Sequence, residues 1–319
     1  MLDDTLFLGR RLCVVGNINR DVKIAPIRPG THLLRDGETS TPFVVETIGG
    51  GGANSAVIAA HLGAKVVFAG KTGSDALGRR LEEALAGWGV TPRLHRDPRC
   101  RTGTSIALAF ANGHRHFISA LPNNQALRFA DIDLSVLKAG SHLLRADLWF
   151  SAHMLYGGNK RLLRRAKETG MTVSIDLNWD PQWGVAPRKE IRRRKEAVRE
   201  VLPFVDLAHG NIRELNKFAD CRDFKVTLKR LTSWGVRAIV VHRGADGSGY
   251  YEDGVFTTAP AVPAARAVNT TGTGDVLSVC MMLLHGCAGL PVREKLRLAN
   301  RIVSEFIEGK RNLLPALGN

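Results

Sequence analysis

Residues 161–178 read RLLRRAKETGMTVSIDLN, and the change of period inside them decides the fold class. RLLRRAKETG has the spacing of a helix closed by Gly170, and MTVSIDLN follows as a short β-branched run. The same helix, glycine, strand rhythm recurs in SAVIAAHLG followed by AKVVFAGKTG, and in LKRLTSWG followed by VRAIVVHRG. RLCVVGNIN, residues 11–19, supplies a first apolar strand that ends in a glycine turn. Such alternation predicts βαβ units, hence an α/β chain with a mostly parallel sheet flanked by helices. Two zones break the rhythm, residues 21–48 and 101–119, both rich in turn and β formers. Within the second, TSIALAFANGHRHFIS reads as a hairpin closed by Asn112 and Gly113. The expected division is an α/β core made of residues 1–20, 49–98 and 121–319, covered by a small β lid made of residues 21–48 and 99–120.

The chain has 319 residues, 44% of them hydrophobic and 24% charged, enough for one large core of a soluble protein. No apolar run approaches the roughly 20 residues that a bilayer requires. The first residues carry acids ahead of a short apolar patch, which does not read as a signal peptide. Five cysteines, none in a C-x-x-C pair, are expected to be reduced thiols in a cytoplasmic protein. Ten scattered histidines show no zinc spacing. The net charge of +15 concentrates in KRLLRRAK and RKEIRRRKEAVR. These runs carry Glu partners and no interleaved aromatics, so they read as solvated helix faces rather than a nucleic-acid surface.

Residues 269–280, NTTGTGDVLSVC, suggest the chemistry. Gly272 and Gly274 let backbone N–H groups converge on an anion, and the apolar run after Asp275 reads as a buried helix whose N-terminus adds positive potential. A carboxylate held there is expected to stay ionised, beside a place where phosphate charge can gather. A general base next to an electrostatic cradle suits phosphoryl transfer to a hydroxyl. The bland alternative is a turn with an Asp cap. AGKTGSD is a decoy, because Lys65 stands where a P-loop needs its first glycine. GGGGANS, residues 49–55, satisfies no dinucleotide fingerprint, yet its glycines and Asn54 could approach a small polar ligand closely. GNINRD sends Asn19 and Asp21 off the end of the first strand, where open parallel sheets bind ligands.

Taken together, these segments resemble the ribokinase-like sugar kinases, the PfkB carbohydrate kinase family, from about Val14 to Phe306. GNINRD is similar to the family's substrate segment, GGGGANSA to its G-G-x-x-x-N segment and GKTGSDALG to its G-x-x-G-x-D-x-x-G turn. NIRE, residues 211–214, resembles the N-x-x-E motif of magnesium and phosphate, and RGADGSG the nucleotide loop. TGTGD resembles the G-x-G-D anion hole. The resemblance implies a ribokinase-like fold, ATP and Mg²⁺, with a monovalent cation left open. It makes Asp275 the base, with Gly272, Thr273 and Gly274 as the anion hole. Asn19, Asp21, Gly50, Gly51 and Asn54 are implied for the substrate. Arg115, in NGHRHF of the lid hairpin, is expected to touch the sugar or a phosphate when the lid closes, with a solvent-facing hairpin arginine as the alternative. Asn178, Asn211, Glu214, His242, Gly244 and Gly247 are implied for the nucleotide, with Glu214 at the metal. The expected partners are a sugar or nucleoside and, through the lid, a second copy of the chain. No nucleic acid and no membrane are expected.

Several positions depart from the family pattern. Gly51 replaces the lysine of ribokinase, Asn269 stands where many members have Asp, and His242 where many have Thr or Ser. DLNWDPQW resembles the D-x-N-x-R-x-x-x-W segment of fructokinases and 2-keto-3-deoxygluconate kinases, but Asp180 replaces its Arg and Trp183 comes one residue early. A neutral sugar is therefore expected over a keto acid. The alternative within the family is an adenosine or inosine type of nucleoside kinase, whose base would need aromatic walls. Phe43, Phe110 and Phe117 are the aromatics of the lid zones and are expected to form its core.

Overall fold

The computed structural model describes residues 4–112, 114–269 and 271–318, with the side chain of Arg115 outside the description. The first half runs β1 (Arg11–Val15), β2 (Asn19–Ile24), β3 (Val44–Gly49), α1 (Gly51–His61), β4 (Lys65–Gly73), α2 (Ala76–Gly87), β5 (Val90–Asp97), β6 (Thr104–Ala109), β7 (Arg115–Ala120) and α3 (Pro122–Gln125). Next come β8 (His142–Arg145), α4 (Asn159–Glu168), β9 (Thr172–Asp176), α5 (Arg188–Arg199), β10 (Leu207–Asn211), α6 (Ile212–Ala219) and α7 (Phe224–Ser233). The chain closes with β11 (Ala238–His242), β12 (Ser248–Glu252), β13 (Val255–Ala259), α8 (Thr273–His285) and α9 (Val292–Ile307).

Nine strands form one sheet in the order β13-β12-β11-β10-β9-β8-β1-β4-β5. It is parallel from β5 through β11, while β12 and β13 add an antiparallel edge. Alternate residues of its strands enter two separate cores, as the period of two requires. Leu12, Val14, Leu144 and Val240 face α1, α8 and α9, while Cys13, Val15, Leu143 and Val241 face the side of α4 to α7. Because both faces are covered, the inner strands read as continuous apolar runs. α8 is apolar all round for the same reason, since its residues from Val276 to Leu284 are buried.

β2, β3, β6 and β7 form a second sheet in the order β3-β2-β6-β7. The hairpin of β6 and β7 is antiparallel, with Ile106 opposite Ile118. Asn123 and Asn124 fasten the root of this sheet to the large one. Asn123 Nδ2 donates to the carbonyls of Ile18 (2.9 Å) and Lys71 (2.6 Å), and its Oδ1 accepts from the Gly103 amide. One expectation fails here. Phe43 is 53% exposed and Phe117 51% exposed, so they are not a lid core. Both rings lie on the face of the small sheet that carries Asp21, and that face has no second layer on which to bury them.

Lys71, in the decoy segment, is buried within β4 between Asp97 (3.1 Å) and Asp131 (2.8 Å). Asp180 is likewise buried, its two oxygens accepting from Arg194 Nε (2.7 Å) and an Arg194 terminal nitrogen (2.9 Å). That arginine also donates to the Trp149 carbonyl. Breaking a buried pair leaves one charge without a partner, which costs more than the pair is worth. Arg194→Met is expected to lower the unfolding free energy by about 3–5 kcal/mol. The double change Asp180→Leu with Arg194→Met should recover more than half of that loss, as read by urea denaturation.

Candidate active site

The carboxyl ends of β1, β8, β9, β10 and β11 meet the N-termini of α1 and α8 on one edge of the large sheet. There the chain brings together Asn19, Asp21, Gly50, Gly51, Asn54, Asn178, Asn211, Glu214, His242 and residues 272–275. The glycine loop before α1 is held by a residue that the sequence reading passed over. Asp147 sits just beyond β8 in the left-handed region (φ 56°) and accepts from the amides of Asn17 (2.9 Å), Gly51 (3.2 Å) and Gly52 (2.9 Å). The backbones of Gly16 and Gly52 touch, and a Cβ on Gly52 would lie 2.7 Å from the Gly16 Cα. Residue 16 and residue 52 must therefore both be glycine for β1 to meet α1.

On the side of the small sheet, Asn19 Nδ2 donates to Asp21 Oδ1 at 2.7 Å, which aims the acid toward Gly49. The Asn54 side chain hydrogen-bonds the Asp275 carboxylate, and its own Oδ1 is buried without a partner. Asp275 lies in the first turn of α8, whose N-cap Gly272 has φ 91°. Few residues but glycine adopt that conformation readily. Asn211 and Glu214 form a capping box at the start of α6: the Asn211 amide donates to Glu214 Oε2, and the Glu214 amide to Asn211 Oδ1, both at 2.9 Å. The backbone of Trp179 also bonds Glu214. Asn178 hydrogen-bonds Asp176 with its side chain. Asp180 points away into its pair with Arg194, and the side chain of Arg115 lies outside the described residues.

The site is acidic. Burial pushes the Asp275 carboxyl up to about 7, with repulsion from Asp147, Glu214 and Asp21 added and the Asn54 bond opposing. The expectation of a carboxylate that stays ionised is corrected by this burial: the helix N-terminus is present, but burial first and the neighbouring acids second outweigh it. Burial also raises Asp21 to about 6, and raises Asp147, Asp176 and Glu214. Asp176 Oδ1 is buried without a hydrogen-bond partner. This acid, the last residue of β9, belongs to the site by the rule that singled out Asn19, as does Asp147; position after an apolar strand was the available signal.

Beyond Gly274 opens a cavity of about 720 Å³. His242, Gly244, Gly247 and Asn211 line it together with the apolar Val262, Pro263, Leu277 and Ile307. A Cβ on Gly274 would stand 3.2 Å from His242 Nδ1, so that ring packs directly behind the anion loop. His242 Nε2 meets Ser278 Oγ at 3.0 Å. Among the described residues no cluster of three His, Cys, Asp or Glu side chains could hold a metal alone. Glu214 and the unpartnered oxygen of Asp176 suit a hard cation that brings phosphate and water ligands of its own.

The model of the pfkB family carbohydrate kinases matches residues 10–310. The chain belongs to that family, phosphotransferases whose acceptor is a sugar hydroxyl. It is 26% identical over 316 residues to a ribokinase of Arabidopsis thaliana, covering 94% of this chain and 76% of that protein. A fructokinase of Vibrio alginolyticus is 27% identical over 249 residues, 76% of this chain and 77% of its own. The fold matches an E. coli protein crystallised in complex with ATP and Mg²⁺, with a TM-score of 0.78 at 21% identity over 94% of this chain and 93% of that one.

Under the site, buried histidines cross the sheet. His142 meets Thr172 Oγ1 and Ser174 Oγ, both at 2.6 Å, and His209 reaches the same Ser174 at 3.4 Å. Burial pushes His142 down to about 3 and His242 down to about 4, against 6.5 ordinarily. The unfolded chain therefore takes up protons below pH 6.5 that the folded chain refuses. The stability these rings allow is fully present above pH 6.5 and is lost as pH falls toward 4. Asp275 and Asp21 act in the opposite sense, because their raised values favour the folded state as pH falls. Measured by urea unfolding, His142→Gln should make the loss of stability between pH 6.5 and 4 shallower than in the wild type.

Proposed function

We propose that the protein transfers the γ-phosphoryl group of ATP to a hydroxyl of a small uncharged sugar, with Asp275 as general base. The observation that carries this reading is the placement of Asp275: bonded to Asn54, at the N-terminus of α8, between Asp21 on one side and the cavity behind Gly274 on the other. Asp275 takes the acceptor's proton, and the amides of residues 272–274 receive the charge of the phosphoryl group in flight. Asn211, His242, Gly244 and Gly247 line the nucleotide cavity for the phosphates, with its apolar side chains for the base. Mg²⁺, when bound, neutralises the phosphates of ATP. Glu214 and Asp176 are the side chains suited to hold it, and Asn178 steadies Asp176. Residues 21–48 and 99–120 act as a lid on the core of residues 1–20, 49–98 and 121–319, excluding water from the transfer. The exposed Val44, Ile106 and Ile118, which share the face of the small sheet opposite Asp21, support pairing of two copies through that lid. The five free thiols fit a reducing, cytoplasmic setting.

Asp275→Asn is expected to lower kcat about 10²–10⁴-fold while ATP affinity stays within about threefold. In the wild type, activity should rise with pH as Asp275 loses its proton, at about 7 or below it where bound Mg²⁺ offsets the repulsion, because the base works only when deprotonated. In the variant that rise should vanish. Turnover near the wild-type level would overturn the assignment.

The acceptor side favours a neutral sugar. Asp21 and Asn19 present an acid and an amide, Gly51 offers no cation, and Asp180 contributes neither sign because Arg194 neutralises it. Across fructose, ribose, adenosine, fructose 6-phosphate and 2-keto-3-deoxygluconate, the uncharged sugars should show the highest kcat/KM. Asp21→Ala should cost about 2–4 kcal/mol in that ratio by leaving hydroxyls unpaired. A preference for adenosine would favour the nucleoside kinase, and a preference for a charged acceptor with Asp21→Ala harmless would overturn the reading.

A further inference from the structure

The segment after α9 runs back over the active-site edge and touches both halves of the site. The approach to the anion loop, residues 265–269, hangs on the end of that helix. The amides of Val268 and Asn269 donate to the Ile307 carbonyl (2.8 and 3.0 Å), Asn269 Nδ2 to the Phe306 carbonyl (3.0 Å), and the Ala265 amide to Glu308 Oε1 (2.6 Å). Arg311 then anchors the chain through ion pairs with Asp4 and Glu305. Leu313 is buried and its carbonyl meets His61 Nδ1 at 3.2 Å, at the end of α1, the helix whose other end carries the glycine loop. Leu314 follows directly beneath the anion loop, where a Cβ on Gly272 would lie 2.7 Å from Leu314 Cδ1. Two residues later the chain joins the small sheet. Ala316 bridges Thr47 of β3, and the Leu317 amide donates to the Glu46 carbonyl at 2.8 Å. Arg80 of α2 closes the contact, holding Glu46 at 2.7 Å and the Gly318 carbonyl at 2.7 Å.

We infer that residues 311–318 are a positioning strap, in which Leu314 sets the anion loop and the pairing of residues 316–317 with β3 sets the root of the lid. The physical reason is the looseness of what it touches. TGTG is a glycine-rich turn whose N–H groups work only if they converge, and glycines lose more backbone freedom on ordering than other residues. A leucine wedged against Gly272 removes the inward alternatives. β3 is an edge strand of a thin sheet, and a bridge near its junction with the glycine loop restricts how that sheet can swing without covering its far end. One short segment thereby ties the transfer end and the acceptor end of the site to the same helix.

The strap as a device for catalysis rests on the phosphoryl-transfer reading, so the test has one arm that depends on activity and one that does not. Two variants separate its halves: Leu314→Ala, and a chain ending at Leu314 that lacks residues 315–319. By hydrogen–deuterium exchange, Leu314→Ala should raise exchange in residues 268–276 and leave 44–49 as in the wild type, and the shortened chain should do the reverse. In kinetics with the best sugar, Leu314→Ala should lower kcat roughly tenfold or more with the acceptor KM nearly unchanged. The shortened chain should raise the acceptor KM about fivefold or more and increase ATP hydrolysis without acceptor. Leu314→Met, which refills the space, should restore kcat. Exchange that rises evenly over the molecule, or in neither region, would overturn the strap whatever the substrate. So would variants that lose thermal stability while kcat and KM stay within about twofold of the wild type. If the regional exchange holds and no sugar is phosphorylated, the strap stands and the sugar-kinase reading fails.

Discussion

The carboxylate of Asp147 gathers three backbone amides, and the site has its shape because of that gathering. The turn after β1 and the N-terminus of α1 both bring N–H groups without helical or sheet partners to the same point, and burial there without an acceptor would cost each of them a hydrogen bond. Asp147 supplies the acceptor from β8, the strand beside β1. The arrangement is possible only because Gly16 and Gly52 let the two backbones touch. From it follow the direction in which β2 leaves the core, the place of Asn54, and the bond from Asn54 that holds Asp275. An acid buried for structure thus fixes the position of the proposed base.

Much of this architecture was legible in the chain. Helix, glycine stop and β-branched strand recur in order, and that repetition carries the parallel sheet because a strand covered on both faces must be apolar throughout. The glycine loops were legible as well, since few other local sequences let backbone approach an anion. What escaped was contact between distant segments. Nothing local marks Asp147 as the partner of residues 51 and 52, or Asn123 as the fastener of the small sheet, because their roles exist only after β8 and α3 have packed. Asp180 shows the same limit. The sequence marks it only as the replacement of a family arginine, and nothing local shows that an arginine from α5, fourteen residues on, draws it into the core. The two phenylalanines of the lid were misjudged for a reason of layers, since hydrophobic character in a strand does not say whether a second layer exists to receive it.

The acids explain why Asp275 behaves differently from a simple helix cap. The N-terminus of α8 favours negative charge by roughly 0.3–1 kcal/mol. Against it stand burial and three neighbouring carboxylates, and these win, lifting the group to about 7. For the general base we propose, this is the useful outcome: a base with an ordinary carboxylate value is a weak proton acceptor, and one near neutrality is matched to its task. The same crowding makes the site attractive to a cation, so metal and base are linked. A divalent ion near Glu214 and Asp176 would offset the repulsion that holds Asp275 up.

Charge is arranged on two scales in this chain. Much of the surplus of +15 lies on α4 and α5, where several of the cations already have partners. Lys160 pairs with Glu200 and Lys167 with Asp206, while the guanidiniums of Arg161 and Arg199 lie 4.7 and 4.2 Å from the rings of Phe129 and Trp234. Cations so engaged are spent locally, and at physiological salt a Debye length of about 8 Å screens what remains. In the proposed reading, recognition of the polyphosphate therefore comes from short range: amides of the 272–274 loop, the helix N-terminus and a hard cation on the acids. An acidic site of this kind would admit a metal–nucleotide complex more readily than a bare polyanion, because the metal ion offsets the repulsion between the phosphates and the inner acids.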